Sequence, residues 1–230
     1  SEQINGFWLV SFSLTSPLSL EHSLGRTFYF QEAPEIPLCL FQDTSNQSSN
    51  SYQFLAQQAL TENLITQLTE VCCESNQTLT LPKTGTPTLI LANNLFMANA
   101  FALAKQQTSQ PSNTNINTIL ASDNGFPFMV KPARYLMHEM PPEAIGASTL
   151  LEDWKVQNRL ASNAGLPGCF DGELFEMFNY WLNSMEDDIQ TNNIEQNWQV
   201  VVFAESAIQK KCLQASQQFS WVHLTGILAN

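Results

Sequence analysis

The segment Thr88-Leu89-Ile90-Leu91-Ala92 is a nearly unbroken apolar run, and Asn93-Asn94 and then Leu95-Phe96-Met97 follow it. Such a run predicts a strand buried on both faces of a parallel sheet, and the following residues predict a helix over 95–107. A turn that binds the phosphates of a dinucleotide needs glycine here, because the backbone must bend tightly for its N–H groups to reach the pyrophosphate. Two asparagines occupy the turn instead. The sequence therefore predicts a strand, a turn and a helix without phosphate-binding chemistry.

The chain after this unit alternates between strand-like and helix-like segments. Such alternation is typical of a parallel sheet with helices on both faces, so we expect an α/β unit over residues 86–230. Asp171 is expected to cap a helix over 172–185 that ends before Glu186-Asp187-Asp188. The other predicted elements are strands at 116–121, 144–147, 158–162, 196–204 and 221–224, and helices at 150–154 and 206–218. The buried stripe of helix 172–185 is predicted to be Leu174, Phe175, Phe178, Trp181, Leu182 and Met185.

The first part of the chain is strand-like, and prolines and glycines interrupt it. This pattern predicts an antiparallel meander or small barrel over residues 1–85, with a domain boundary near Gly85. The predicted strands are 7–14, 27–31, 53–59 and 78–81, with a short helix at 62–71.

Composition excludes several classes of function. There are 9 Lys and Arg residues against 21 Asp and Glu, and the formal net charge of -12 repels nucleic acid and anionic membrane surfaces. No apolar run is long enough for a membrane span, so no membrane insertion is expected. Five cysteines, two of them adjacent at Cys72-Cys73, indicate reduced thiols and a cytoplasmic protein. No Cys-x-x-Cys pair is present, so no metal site is expected.

Two further stretches carry a family resemblance. They are Thr80-Leu81-Pro82-Lys83-Thr84-Gly85, which would close a flavin domain, and the glycine-rich stretch 163–172, which precedes a helix. Together with the order of elements, they make the chain resemble the ferredoxin-NADP reductase superfamily, and most closely the electron-transfer subunit of dihydroorotate dehydrogenase. The resemblance implies a small antiparallel flavin domain followed by a parallel-sheet dinucleotide domain. It also implies binding of a flavin and a nicotinamide cofactor.

Three cofactor motifs of that superfamily are altered in this sequence. Its flavin-binding strand carries Arg-x-Tyr-Ser/Thr, whereas Pro37-Leu38-Cys39-Leu40-Phe41 has neither arginine nor tyrosine. Its nicotinamide loop is glycine-rich, and here Asn93-Asn94 replaces it. Its late Cys-Gly-Pro turn is replaced by Ala204-Glu205, and the cysteines that hold a two-iron cluster are missing. We therefore expect no cofactor; if an electron-transfer function is retained, Asn94, Gly165 and Gly168 are the expected cofactor contacts.

No catalytic residue is predicted. His138 beside Glu139 could act as a base, but a surface or structural histidine is the more common case. Cys169 precedes a predicted helix start, where a thiolate would be stabilised. A buried structural cysteine is favoured for it, because no histidine is close in sequence.

The proline- and aromatic-rich segment 126–142 is the predicted interaction element. Phe126, Phe128 and Tyr135 are its candidate anchors, and Glu186-Asp187-Asp188 is a candidate contact for a basic partner. A connection packed on its own domain is the alternative interpretation of the segment. Together these features predict a non-catalytic adaptor or scaffold subunit of a larger assembly, whose protein partner has a basic or apolar groove. A flavin- and NAD(P)H-dependent electron-transfer reductase subunit is the alternative.

Overall fold

The computed structural model describes residues 1–73, 79–110, 115–192 and 197–225. An antiparallel five-stranded sheet comes first in the chain and a parallel five-stranded sheet with helices comes second. This arrangement confirms the predicted α/β fold with an antiparallel first part. The boundary at Gly85 stays a prediction; this residue has a φ of 83° in the connection between the two sheets.

The antiparallel sheet has the strand order β1-β4-β3-β2-β5. Its inner face is aromatic, because Phe12 stacks on Phe54 at 4.8 Å between ring centroids and also contacts Phe30 at 5.1 Å. These contacts give the sheet one buried face, as expected for an antiparallel sheet. The strands are β1 (Trp8–Leu14), β2 (Phe28–Phe30), β3 (Ala33–Asp43), β4 (Asn50–Ala56) and β5 (Val71–Cys73).

Three elements in this part differ from the prediction. Strand β3 was not predicted, because Pro34 and Pro37 interrupt its pattern; a register shift against β2 accommodates them. The helix predicted at 62–71 is a single turn, α1 (Glu62–Ile65), because β5 begins at Val71. Of the strand predicted at 78–81, residues 79–81 form no strand, and residue 78 lies outside the described residues.

The parallel sheet has the strand order β10-β7-β6-β11-β12. Every residue of β6, β7 and β11 is buried, which agrees with their mostly apolar sequences. Their pairing confirms the predicted parallel sheet. The strands are β6 (Thr88–Asn93), β7 (Ile116–Ala121), β10 (Gln157–Ala161), β11 (Trp198–Phe203) and β12 (Val222–Leu224).

Three long helices cover this sheet: α2 (Met97–Thr108), α4 (Leu174–Asn192) and α5 (Ser206–Ser216). Helix α4 differs from its prediction, since it begins two residues later and runs through the acidic residues instead of ending before them. Its buried stripe agrees with the prediction except that Met177 is buried and Phe175 is only half-buried. No helix among the described residues is long and apolar enough to cross a membrane.

A long excursion separates β7 from β10. It contains the two-residue strands β8 (Lys131–Pro132) and β9 (Gly146–Ala147), which pair antiparallel in a small sheet of their own. The short helix α3 (Thr149–Asp153) follows. The segment predicted as a strand at 144–147 therefore belongs to this excursion and not to the parallel sheet.

Helix α2 joins the two sheets by packing on β3. The side chain of Asn99, fully buried on this helix, donates to the Leu40 carbonyl at 3.1 Å and accepts from the Gly25 N–H at 3.1 Å. Phe101, two residues further along α2, contacts Phe41 at 5.3 Å between ring centroids. The two parts of the chain thus share a continuous core.

Candidate functional site

The carboxyl edge of the parallel sheet holds a polar crevice. The chain runs from β6 through β7 to β10 on one side and then returns to β11 and β12 on the other, so the strand order reverses beside β6. In open α/β sheets, ligands bind at such a reversal point. The crevice has a volume of about 260 Å³ and lies between the loops that follow β6, β7 and β11 and the start of α4. Its lining includes Asn93, Ser122, Asp123, Gly172, Glu173, Glu205 and Lys211.

The loops after β6 and β7 are held together across the crevice mouth. The Asn94 Nδ2 atom donates to the Asp123 Oδ2 atom at 2.8 Å, and the Asp123 N–H donates to the Asn94 Oδ1 atom at 3.1 Å. Asn94 has a φ of 49°, a left-handed conformation in which asparagine is tolerated. This paired contact, which we call the Asn94–Asp123 clamp, fills the turn that would bind phosphate if it contained glycine.

The charges around the crevice are unfavourable for a dinucleotide. Asp123, Glu173 and Glu205 supply three carboxylates, and Lys211 supplies one cation, which lies 5.8 Å from the centroid of the Phe175 ring. A pyrophosphate placed here would meet a net negative surface, and like charges at close range repel.

The helix starts beside the crevice also carry acidic side chains. At the start of α4, the Glu173 N–H donates to the Glu176 Oε2 atom at 2.8 Å, so a carboxylate of the chain already uses this donor. Glu205, in the segment that replaces the superfamily's Cys-Gly-Pro turn, is the N-cap residue of α5. Anions bind at helix starts because free N–H groups and the helix dipole attract them. At the start of α4 the Glu176 carboxylate takes that place, whereas at the start of α5 Glu205 adds negative charge without a side-chain capping hydrogen bond.

Strand β3 is the strand that the resemblance assigns to flavin binding. Its residues Leu38, Cys39 and Leu40 are buried in the shared core, and the Leu40 carbonyl accepts the hydrogen bond from Asn99. Helix α2 therefore packs directly on this strand. Neither here nor in the crevice do the residues present fit a flavin or a nicotinamide cofactor, because the expected arginine, tyrosine and glycines are replaced by apolar, amide and acidic groups.

The three alternative cofactor contacts are not brought together. Asn94 lies at the crevice mouth through its clamp, whereas Gly165 and Gly168 belong to the turn between β10 and α4 and do not line the crevice. Gly168 has a φ of 79°, and its carbonyl accepts from the Gly146 N–H at 2.6 Å. A structural role in holding β9 close to this turn accounts for the glycine at 168.

The surroundings of Cys169 and Glu139 agree with the prediction that neither Cys169 nor His138 is a catalytic residue. Burial raises the pKa of the Cys169 thiol to about 11, so the thiol stays protonated near neutral pH and is a poor nucleophile. Burial, followed by the charge of Asp188, raises the pKa of Glu139, while His138 opposes this shift. Among the described residues, no group of three or more His, Cys, Asp or Glu side chains is placed to hold a metal ion.

The predicted aromatic arm is partly a core element. Phe126 is fully buried, and its ring stacks on Phe128 at 5.3 Å between centroids. Phe128 in turn contacts Phe101 at 5.8 Å, so both rings join the packing around α2. The use of Phe126 as an exposed anchor is therefore wrong, and the packed connection describes the start of the segment. Tyr135 remains 39% exposed.

Sequence reasoning missed the residues that this excursion does expose. Met129, Leu136 and Ile145 are 62%, 67% and 57% exposed, and with Tyr135 they are four of the seven large apolar side chains found exposed in the described part of the chain. The Ala133 N–H donates to the Ile145 carbonyl at 2.8 Å, which brings these two parts of the excursion together. We call Met129, Tyr135, Leu136 and Ile145 the excursion patch. In the sequence, the methionine and leucine content of the segment indicated these residues, but the prediction relied on the aromatic residues instead.

The acidic run on α4 is mostly engaged within the chain. The Trp221 Nε1–H group donates to the Glu186 Oε2 atom at 2.6 Å, and Asn192 donates to Asp188 at 2.6 Å. The bonds from Trp221 and then Gln190 lower the pKa of Glu186. Asp187 is the exposed member of the run.

Comparisons with known proteins give matches to structures alone. No protein-family model matches the sequence, and no curated protein matches it. The cytochrome P450 reductase of Amycolatopsis superposes with a TM-score of 0.58 at 11% identity, over 98% of this chain and 66% of that one. Phthalate dioxygenase reductase, a modular structure for electron transfer from pyridine nucleotides to a 2Fe-2S centre, gives 0.51 at 13% identity, over 97% and 64%.

A third structure is the flavohemoglobin of Malassezia yamatoensis with bound FAD and heme. It gives a TM-score of 0.51 at 9% identity, over 98% of this chain and 58% of that one. The chain thus spans between 58% and 66% of the length of these three proteins. At such low identities, the similarity concerns the fold. The chain therefore has a ferredoxin-reductase-like fold, with an antiparallel β sheet followed by a parallel sheet covered by helices.

Proposed function

We propose that this chain is a non-catalytic adaptor or scaffold subunit of a larger cytoplasmic protein assembly, built on a reductase-like fold without its cofactor motifs. The observation that carries the proposal is the crevice at the strand-order reversal. The Asn94–Asp123 clamp fills its turn, and Asp123, Glu173 and Glu205 surround it with negative charge. A chain that used this crevice for a dinucleotide would need donors and cations at these positions.

The packing of α2 on β3 supports the same proposal. Asn99 forms buried hydrogen bonds to Leu40 and Gly25, and removal of either partner would leave a buried polar group unsatisfied. Space for a flavin ring between this helix and strand would require these bonds to break.

The excursion patch is the proposed contact with the partner. Leu136 and Ile145 are both more than half exposed, although isolated apolar side chains on a surface are common. Four on one excursion are more informative, because this segment carries most of the large apolar side chains exposed in the described part of the chain, and exposed apolar surface often marks interaction sites. The net charge of -12 favours a partner with a basic or apolar groove and disfavours nucleic acid.

A variant pair tests this role of the patch. Leu136→Ser combined with Ile145→Ser should release the chain from its assembly, so that the tagged chain from native cells elutes at its monomer mass in native size analysis. Ile4→Ser combined with Tyr180→Ser is the matched control, since these side chains are exposed elsewhere at 42% and 41% and should leave the assembly intact. Circular dichroism should show the same fold for all proteins.

Two results would contradict the proposal. If the unmodified chain elutes only as a free monomer, the adaptor role is wrong. If both variant pairs keep the assembly mass, the excursion patch is not the contact.

An electron-transfer subunit similar to that of dihydroorotate dehydrogenase is the second candidate. The reductase fold of the structural neighbours favours it. In that case Asn94, Gly165 and Gly168 would be the expected cofactor contacts, and the purified protein would be yellow or would reduce a dye with NADH.

A further inference from the structure

The crevice at the carboxyl edge of the parallel sheet contains an acceptor that the chain does not use. Asn93 is the last residue of β6, and its side chain lies on the same sheet face as Leu89 and Leu91, because side chains alternate along a strand. Leu89 and Leu91 belong to the core cluster that includes residues of α4 and α5. Asn93 therefore lies at the floor of the crevice, beside the starts of these helices, and is only 6% exposed.

The Oδ1 atom of Asn93 is buried and accepts no hydrogen bond. Within the part of the chain that the structure describes, no donor lies within hydrogen-bond distance of this atom. Buried side-chain acceptors are nearly always paired, and an unpaired one costs free energy in the folded protein. The neighbouring Asn94 differs, since its Nδ2 and Oδ1 atoms both bond to Asp123. Asn93 thus offers an acceptor that a ligand in the crevice can use.

Three carboxylates lie above this acceptor. The side chains of Asp123, Glu173 and Glu205 line the crevice and belong to exposed residues, so they form its rim. Glu205 makes no side-chain hydrogen bond to the start of α5, although it is the N-cap residue. Lys211 also lines the crevice, and its Nζ atom lies 5.8 Å from the centroid of the Phe175 ring. Three negative groups against one positive group make the mouth of the crevice attractive to cations.

A primary ammonium group matches this arrangement. It has three N–H donors and no acceptor, whereas the Asn93 Oδ1 atom and the rim carboxylates only accept. The lining also includes Ala121, Leu174 and Ile208, which would contact an alkyl chain that carries the ammonium group. The volume of about 260 Å³ is smaller than that of most pockets for cofactors, so it favours a ligand of few atoms.

A metal ion and an anion match the same groups less well. Calcium and magnesium ions need several oxygen ligands close together. Among the described residues, no group of three or more His, Cys, Asp or Glu side chains is placed to hold a metal ion. An anion would be repelled by the rim carboxylates. The geometry of the crevice therefore favours an organic cation with N–H donors.

We propose that this crevice binds a ligand with a primary ammonium group on a short alkyl chain. The ammonium group donates to the Asn93 Oδ1 atom at the floor, and the rim carboxylates attract it and balance its charge. Leu174 and Ile208 contact the alkyl chain. The ammonium group belongs to a free aliphatic amine or to a lysine side chain of a protein, since both present the same chemistry. This site goes beyond the proposed adaptor role and is separate from the excursion patch.

Titration of the full chain with butylammonium chloride, followed by NMR, tests the proposal. The side-chain amide signals of Asn93 should shift with saturation. Asn93→Leu, of similar size, should bind at least about tenfold more weakly, because a hydrogen bond to a charged group is lost. Glu205→Gln should weaken binding by about two- to fivefold, and it carries the test if Asn93→Leu does not fold. Glu35→Gln, at an exposed position on β3 in the other sheet, is the matched control and should bind as the unmodified protein does.

Two further ligands define what the crevice recognises. Tetramethylammonium has the same charge as butylammonium but no N–H group, and it should bind at least about tenfold more weakly. Nα-acetyl-lysine N-methylamide separates the two sources of the ammonium group. Tighter binding of this compound than of butylammonium indicates a lysine side chain of a partner, and weaker binding indicates a free amine.

Three results would overturn the proposal. Equal binding of butylammonium to the unmodified protein, Asn93→Leu and Glu205→Gln would show that the crevice is not the site. No saturable shift with either amine would show that the crevice holds only water. Tighter binding of inorganic phosphate or of Mg²⁺ at the Asn93 signals would identify an anion site or a metal site. Each result leaves the assembly mass measured with the excursion-patch variants unaffected.

Discussion

Hydrogen-bonding groups are used differently at the carboxyl edge of the parallel sheet and at the β1 edge of the antiparallel sheet. At the first edge, Asn94, Asp123 and Glu176 use the chain's own groups to occupy positions where a ligand's phosphates would bind. At the second edge, backbone groups pair with each other, since the Ser1 amino group donates to the Leu9 carbonyl at 2.7 Å and the Leu9 N–H donates to the Ser1 carbonyl at 2.8 Å. The two edges thus differ in whether the chain's own side chains already use the hydrogen-bonding positions.

The largest expected difference in stability is between variants of a buried ring and of an exposed ring in the excursion. Phe126→Ala should lower the free energy of unfolding by about 3–5 kcal/mol, because it leaves a cavity beside Phe128 and the core around α2. Tyr135→Ala, on the exposed part, should cost about 0.5 kcal/mol or less. Urea denaturation measures both. Similar small losses for the two variants would show that Phe126 is not a core residue.

The side-chain amide of Asn99, which lies between the two sheets, gives the next largest expected effect on stability. Asn99→Ala should destabilise the protein by about 2–4 kcal/mol, since the Gly25 N–H and the Leu40 carbonyl lose their buried partner. Asn183→Ala is the matched control. Its exposed side chain donates to the Asn179 carbonyl within α4, and its loss should change stability by about 0.5 kcal/mol or less.

A shift of the urea midpoint for Asn99→Ala no larger than that of the control would contradict the close packing of α2 on β3. The space assigned to this contact would then be open to a ligand.

Substitution of Glu186 should have a smaller effect on stability, and this effect should depend on pH. Hydrogen bonds from Trp221 and then Gln190 hold its pKa below the ordinary value of 4.5. A carboxyl group with a lowered pKa in the folded state contributes stability above its unfolded pKa and loses it as the pH falls through the folded pKa. Glu186→Gln should therefore lower the melting temperature at about pH 7, and this effect should shrink as the pH falls below 4.5 and disappear below the folded pKa.

Asp187→Asn, at the exposed neighbouring position, is the control for this titration. If the difference in melting temperature between Glu186→Gln and the unmodified protein stays constant with pH, the charge of Glu186 is not involved.

The sheet core could be predicted from the sequence because its pattern is local. Strands β6, β7 and β11 are mostly apolar, and such segments are expected where both faces of a strand are covered. Strand β3 escaped prediction because its prolines are tolerated only through a register shift with β2, which depends on another part of the chain. The end of α4 was misplaced because the contact of Glu186 with Trp221 is distant in sequence.

The candidate site was predictable in its chemistry but not in its contacts. The absence of glycine at Asn93-Asn94 follows from the sequence, whereas the clamp to Asp123 requires the loops of two parallel strands to meet. The exposure of Leu136 and burial of Phe126 depend on how the excursion folds back at Ile145. Residue type alone does not distinguish an apolar anchor on the surface from one in the core.

The visible absorption spectrum of the purified protein, taken after incubation with excess FAD and removal of unbound ligand, is the most direct test of an adaptor without cofactor chemistry. We expect no flavin bands and no change on addition of NADH, because the crevice is acidic and α2 covers β3. A spectrum with flavin bands that NADH bleaches would contradict this expectation and would identify the chain as a working electron-transfer subunit.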